Sequence, residues 1–165
     1  MSNDYKKWIY LIVLAIIWGS SFILIKKSLV GLTPIQLGAL RTFIAGVFVL
    51  LIGFRSLKKI QKHQWKYIVV SSLLGTLFPA FFFAFAITGI DSSVASILNS
   101  LTSLNALIVA TLFFGVVFKR VQLVGVLIGL IGTIMLILES SSLNPNQNYW
   151  YAIFVLTASL GYAFN

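Results

Sequence analysis

The chain has 165 residues, of which 59% are hydrophobic, 15% aromatic and only 9% charged. A soluble domain carries about 25% charged residues because its surface must be wetted, so an ordinary soluble globule is excluded. The formal charge of +9, from 12 Lys and Arg against 3 Asp and Glu, sits in short clusters between long apolar runs. That is the charge pattern of membrane loops, not the continuous basic face of a nucleic-acid binder.

A helix needs about 20 mainly apolar residues to cross a hydrocarbon core about 30 Å thick. The first such run extends from Trp8 to about Leu29. No small-residue cleavage site follows it, so it reads as a retained helix and not as a removed signal peptide. The second run is Ile35–Phe54, the third Tyr67–Ile90, the fourth Ser92–Phe118 and the fifth Val121–Leu138. A sixth begins near Tyr149 and is still running at Asn165. The predicted fold class is an all-α membrane protein: a five-helix transmembrane bundle followed by a sixth helix.

The connections are short and their basic residues alternate. Lys6, Lys7, Arg55, Lys58, Lys59, Lys62, Lys66, Lys119 and Arg120 fall on one side, and Lys26 and Lys27 with Asp91 and Glu139 on the other. The positive-inside bias then places the N-terminus in the cytoplasm and the Gly31–Pro34, Asp91 and Glu139–Asn148 connections outside. The segment Arg55–Lys66 is the longest inner loop and can reach anionic lipid headgroups, although a topology determinant alone accounts for it.

Chemistry-bearing residues are few. There is no Cys, one His and three acids, which supplies no metal cluster, no evident nucleophile–base pair and no cofactor motif. An enzyme is therefore not expected. Arg41 is the one charge deep inside an apolar run, where burial costs roughly 2.5–3.5 kcal/mol on insertion scales. It either lines an outward vestibule for a carboxylate or phosphate, or binds loop carbonyls and holds the fold. Lys26 and Lys27 are adjacent and point to different faces, so at most one lines a pore.

Trp18 lies midway along the first span, where its indole N–H needs a partner in the bundle interior or a cavity; Ser21 and Phe22 continue that face. In the fourth span Ser92, Ser96, Asn99 and Ser103 recur at i, i+4, i+7 and i+11 and share one helical face, widened by Ser100 and Asn105. These groups suit a hydrated path for a polar solute and equally suit interhelical hydrogen bonding. Pro79, within the Phe-rich run Phe78–Phe85, frees a backbone carbonyl and marks a flexing point for gating. Gly125, Gly129 and Gly132 form a small-residue ridge for helix packing, as do Gly38 and Gly46 with Thr42 and Ala45. Such a ridge is compatible with a homo-oligomer without establishing one.

Laying Ala152–Asn165 over Trp8–Ser21 pairs Ile153 with Ile9, Tyr162 with Trp18 and Asn165 with Ser21. Five spans separate the copies, so the second runs in the opposite direction, as in the inverted repeats of secondary transporters. Trp18-Gly19-Ser20-Ser21-Phe22 and Pro34-x-x-Leu37-x-x-Leu40-Arg41 resemble the opening motifs of EamA-like members of the drug/metabolite transporter superfamily. Asp91-Ser92-Ser93-Val94-Ala95-Ser96 and Gln122-x-x-Gly125-x-x-x-Gly129-x-x-Gly132 are similar to the fourth and fifth helices of that domain. Two departures stand out: Ser103 replaces a frequent Pro, and Val116 a frequent Glu.

The resemblance implies half of a ten-helix carrier of bacterial inner membranes, with residues 1–140 as the first EamA-like domain. Residues 141–165 are then an outer loop and the truncated start of the second domain, whose remainder is the missing partner. The implied function is secondary transport, in the export direction, of small polar metabolites such as amino acids, by alternating access between inverted repeats. No Asp or Glu falls inside the first five expected spans, so this half lacks the carboxylate of a cation–proton antiporter. The alternative is a non-transporting membrane subunit or lipid-linked assembly factor. The expected surroundings are the lipid bilayer and a small-molecule solute.

Overall fold

A computed structural model describes residues 2–57, 59–117 and 119–165, with the side chains of 2–4 and 141 left aside. Met1, Lys58 of the basic loop and Phe118 of the expected fourth span lie outside the described residues. The chain is all-helical: α1 Ser2–Ser28, α2 Pro34–Leu57, α3 Trp65–Ser72, α4 Phe78–Gly89, α5 Ser92–Asn99, α6 Thr102–Phe114, α7 Arg120–Leu143 and α8 Ala152–Ala163. Among the described residues, five stretches are long and apolar enough to cross a membrane: Tyr5–Ser28, Pro34–Leu57, Lys62–Gly89, Ser92–Phe114 and Arg120–Ser140.

The helix ends follow local chemistry. Thr33 and Gln36 form a reciprocal capping box ahead of α2: the Thr33 N–H donates to Gln36 Oε1 at 3.0 Å and the Gln36 N–H to Thr33 Oγ1 at 3.3 Å. The fourth span stops at Phe114 and does not reach the expected Phe118, because Gly115 adopts φ +65°. Its N–H bonds to Thr111 O and the Val116 N–H to Ala110 O, both at 3.2 Å, and the first of these closes the helix as an αL cap. The fifth span runs past the expected Leu138 to Leu143, so Glu139 lies in the helix and not in the connection.

Two spans are interrupted. The fourth breaks at Ser100–Leu101, three residues before the Ser103 position and without a proline. Ser100 N–H bonds to Ile97 O and Leu101 N–H to Leu98 O, both i→i−3, and the Ser100 hydroxyl also donates to Ile97 O at 2.6 Å. Local serine-to-carbonyl bonds of this kind compete with the regular helical ladder. In the third span a π-turn over Leu73–Leu77 separates α3 from α4, with the Phe78 N–H bonded to Leu73 O. Pro79, buried at the start of α4, has no N–H to continue the ladder, and the wide turn sits directly before it.

The core lies around α4 and α8, which pack together along their length and against α2, α5 and α6. Ala84, Ala86, Val94, Ala95, Val155 and Ala158 are at most 1% exposed, and their small side chains let the helices approach closely. The Phe-rich run mostly faces protein: Phe83 packs edge-on against Phe22 at 5.5 Å, while Phe82 and Phe85 meet Phe154 at 6.0 and 5.7 Å. Phe78 of the same run is exposed. A Cβ on Gly38 would stand 2.5 Å from the Phe81 ring, and one on Gly161 would stand 2.7 Å from Leu74 O. By contrast, nothing lies within 4 Å of a Cβ on Gly46, Gly125, Gly129 or Gly132.

Candidate functional site

The centre of the polar chemistry is α8 and the residue after the next. Ser159, Tyr162 and Asn165 are spaced three apart and lie on one side of the final helix. Ser159 and Asn165 each hydrogen-bond to a polar side chain from another element, and Tyr162 lies within electrostatic reach of one. Asn105 of α6 donates through Nδ2 to Ser159 Oγ at 2.7 Å, and the Ser159 hydroxyl donates to Leu156 O at 2.8 Å. Arg41 of α2 and Tyr162 lie within electrostatic reach of each other. Ser71 of α3 donates to Asn165 Oδ1. Phe83 stacks on the Tyr162 ring at 6.1 Å and holds it against α4.

The arrangement can bind but has little to react with. A guanidinium offers five donors in a fork that matches a carboxylate or phosphate, and the phenol both donates and accepts. Ser159 is fully buried, whereas Arg41 remains exposed. Among the described residues there is no group of three or more His, Cys, Asp or Glu that could hold a metal.

The residues singled out from sequence are distributed unevenly around this stripe. Arg41 and Phe22 reach it, Phe22 through Phe83. Trp18 is 62% exposed: α1 packs inward through Phe22 and Ile25, which leaves the indole pointing out of the bundle and not into its interior. The Ser21 hydroxyl is used within α1, donating to Trp18 O at 2.8 Å. Ser96 donates to Ser93 O at 2.8 Å, and Asn99 Oδ1 accepts from Thr102 Oγ1 at 3.3 Å. Ser103 lines a separate groove between α6 and α7. The break at Ser100–Leu101 interrupts the face that an unbroken fourth helix would present, and Asn105 is the member that bonds across to α8.

Lys26 belongs to a different cluster, at the opposite end from the basic loops. Its ammonium lies 3.6 Å from Asp91 Oδ1. Asn144 Nδ2 donates to Asp91 Oδ2 at 2.9 Å, and the Asp91 N–H donates to Gln147 Oε1 at 2.8 Å. The Asn148 N–H completes the clasp by donating to Gly89 O at 2.9 Å. The loop before α8 is thereby tied to the α4–α5 turn and to the end of α1. Both Lys26 and Asp91 are partly exposed, so the ion pair itself is worth little; the hydrogen bonds around it set the loop geometry.

Ser71, Ser159, Tyr162 and Asn165 were not singled out from sequence as site residues. A signal for two of them existed, because the repeat register pairs Tyr162 with Trp18 and Asn165 with Ser21.

The EamA-like transporter family model matches residues 6–138. An uncharacterized inner membrane transporter of Escherichia coli K12, YedA, is 29% identical over 163 aligned residues, covering 93% of this chain and 50% of its own. An uncharacterized transporter of Archaeoglobus fulgidus is 30% identical over 137 residues, covering 79% of this chain and 47% of its own. No solved structure matches. The chain spans about half the length of the curated relatives it matches. With a family match across most of its length and five apolar spans in an all-helical bundle, the chain belongs to the EamA-like transporter family.

Proposed function

We propose that this chain forms one half of a secondary carrier that exports small polar metabolites such as amino acids. Rocking of one inverted repeat against the other would expose a midplane site alternately to each side. The observation that carries this reading is the convergence of Arg41, Ser71 and Asn105, from three separate spans, on the Ser159–Tyr162–Asn165 stripe. Polar groups inside a membrane bundle are costly and mark solute pathways. Arg41 then takes the anionic group of the solute and Tyr162 positions its fork.

The basic clusters support a cytoplasmic N-terminus, with the Asp91 clasp on the outer side. A cysteine introduced by Ser56→Cys is expected to react with an impermeant reagent only from the inner face. Labelling at that position in intact cells reverses the orientation. The transport reading is tested by purifying the protein from its complete reading frame, reconstituting it in liposomes and measuring uptake of labelled amino acids. Saturable uptake supports the carrier. Folded protein without flux for any small polar solute assigns the polar stripe to helix packing.

A further inference from the structure

The segment that leads into α8 carries two features that act against each other. The first is attraction. Asp91 meets Lys26 and Asn144 through its two carboxylate oxygens and Gln147 through its N–H, while the Asn148 N–H reaches Gly89 O. These contacts join the end of α1, the α4–α5 turn and the loop ahead of α8. Tyr151, just beyond, lies so near the same turn that a Cβ on Gly89 would run into its ring.

The second is an opposing term. The Tyr149 hydroxyl, one residue past Asn148, is buried and makes no hydrogen bond to any described residue. Its ring packs on the apolar core, so closing the segment takes the phenol out of water without giving it a partner. A hydrogen bond to a charged group and an unpaired buried hydroxyl are of similar size and opposite sign. Residues 144–149 therefore hold both the bonds that close the segment and the group that favours its release.

The position of the segment gives this opposition a use. It lies at the end of the bundle opposite the basic loops and runs directly into α8, where Ser159 is fully buried. Ser159 stands seven residues into that helix, about 10 Å below its start. The closing contacts are partly open to water, and the Lys26–Asp91 pair within them is weak. A tie of this kind, opposed from within, is poised between two arrangements.

We infer that residues 144–149 form a reversible latch over the outer end of the bundle, closed by Asp91, Asn144 and Gln147 and biased towards opening by the buried Tyr149 hydroxyl. The inference rests on the carrier reading for its use: the segment joins one repeat to the next, and rocking of the repeats parts it from the α4–α5 turn. The 165 residues contain no Cys, so Ser159→Cys places a reporter beneath the latch. The protein is expressed from its complete reading frame, with any further cysteine changed to serine. An impermeant thiol reagent is applied to intact cells, and inverted vesicles report labelling from the opposite face.

Added to the reporter, Asp91→Ala is expected to speed labelling from the clasp side about tenfold, and Tyr149→Phe to slow it about tenfold. Asp91→Asn keeps an acceptor for Asn144 and falls between Asp91→Ala and the parent. A rate in Tyr149→Phe equal to the parent's or faster overturns the latch, as does Asp91→Ala that labels no faster. Should Asp91→Ala lose its fold, seen as equal labelling from both faces, Tyr149→Phe decides alone, because it removes a single oxygen atom. Labelling requires no solute. Opposite shifts in a protein without flux uphold the latch and overturn the carrier, whereas flux without those shifts overturns the latch alone.

Discussion

At the scale of single residues, Arg41 and the Asn105–Ser159 pair separate binding from packing. Arg41 is an exposed residue and Tyr162 is only partly buried, so removal of Arg41 leaves no fully buried partner stranded. Arg41→Ala is expected to lower solute flux about tenfold or more through loss of a charge-assisted hydrogen bond, with protein yield close to that of the parent. Arg41→Lys should restore part of the flux, because an ammonium supplies the charge without the fork. Normal flux in Arg41→Ala would return the residue to a structural role. Asn105 and Ser159 should behave oppositely. A double-mutant cycle with Asn105→Ala and Ser159→Ala is expected to give a coupling of about 0.6 kcal/mol in detergent unfolding, the usual worth of such bonds between membrane helices. A coupling indistinguishable from zero would remove that bond from the account of stability.

At the scale of helices, glycine means different things at different contacts. Gly161 brings α8 against the backbone of the π-turn, where an added Cβ would meet Leu74 O at 2.7 Å. A carbonyl cannot yield as a flexible side chain can, so Gly161→Ala is expected to destabilise the unit by about 1–3 kcal/mol, as overpacking does. Gly46→Ala meets nothing and is expected to be neutral or to stabilise by up to about 1 kcal/mol through helix propensity. Thermal unfolding in detergent distinguishes the two, and equal melting of both variants would contradict the packing described here. The five apolar spans and their order were readable from hydropathy alone because membrane length and apolar composition leave few choices. Of the interruptions, only the one beside Pro79 carried a mark in the sequence. The π-turn answers to the close approach of Gly161 as well as to Pro79, and the break at Ser100 comes from local hydroxyl bonds; neither changes the apolar pattern.

At the scale of the whole unit, the polar site was only half legible. Ser159, Tyr162 and Asn165 show their spacing in the sequence, but their partners stand at positions 41, 71 and 105, and only the packing of α8 brings them together. That packing also separates the sequence boundary from the physical one. The family match ends at residue 138, yet Val155, Ala158 and Ser159 beyond it are at most 1% exposed within the unit. Residues 1–140 are therefore expected to insert, since each helix satisfies its own backbone, but to melt at lower temperature and to be cut faster by protease than residues 1–165. Equal resistance of the two forms would mean that α8 only rests on a bundle complete without it.

The position of α8 also sets an order of events during synthesis. The chain leaves the ribosome at about 5–20 residues per second, so the stretch of about 25 residues beyond position 140 takes roughly one to five seconds to appear. Throughout that interval the α4 surface carrying Phe83 and Ile87 has no α8 beside it, Asn105 has no Ser159, and Arg41 has no Tyr162. The bundle is thus held open until α8 has been made, and the Asp91 clasp forms only once Asn144 and Gln147 have emerged. Assembly of the bundle is timed by sequence that lies outside the family match.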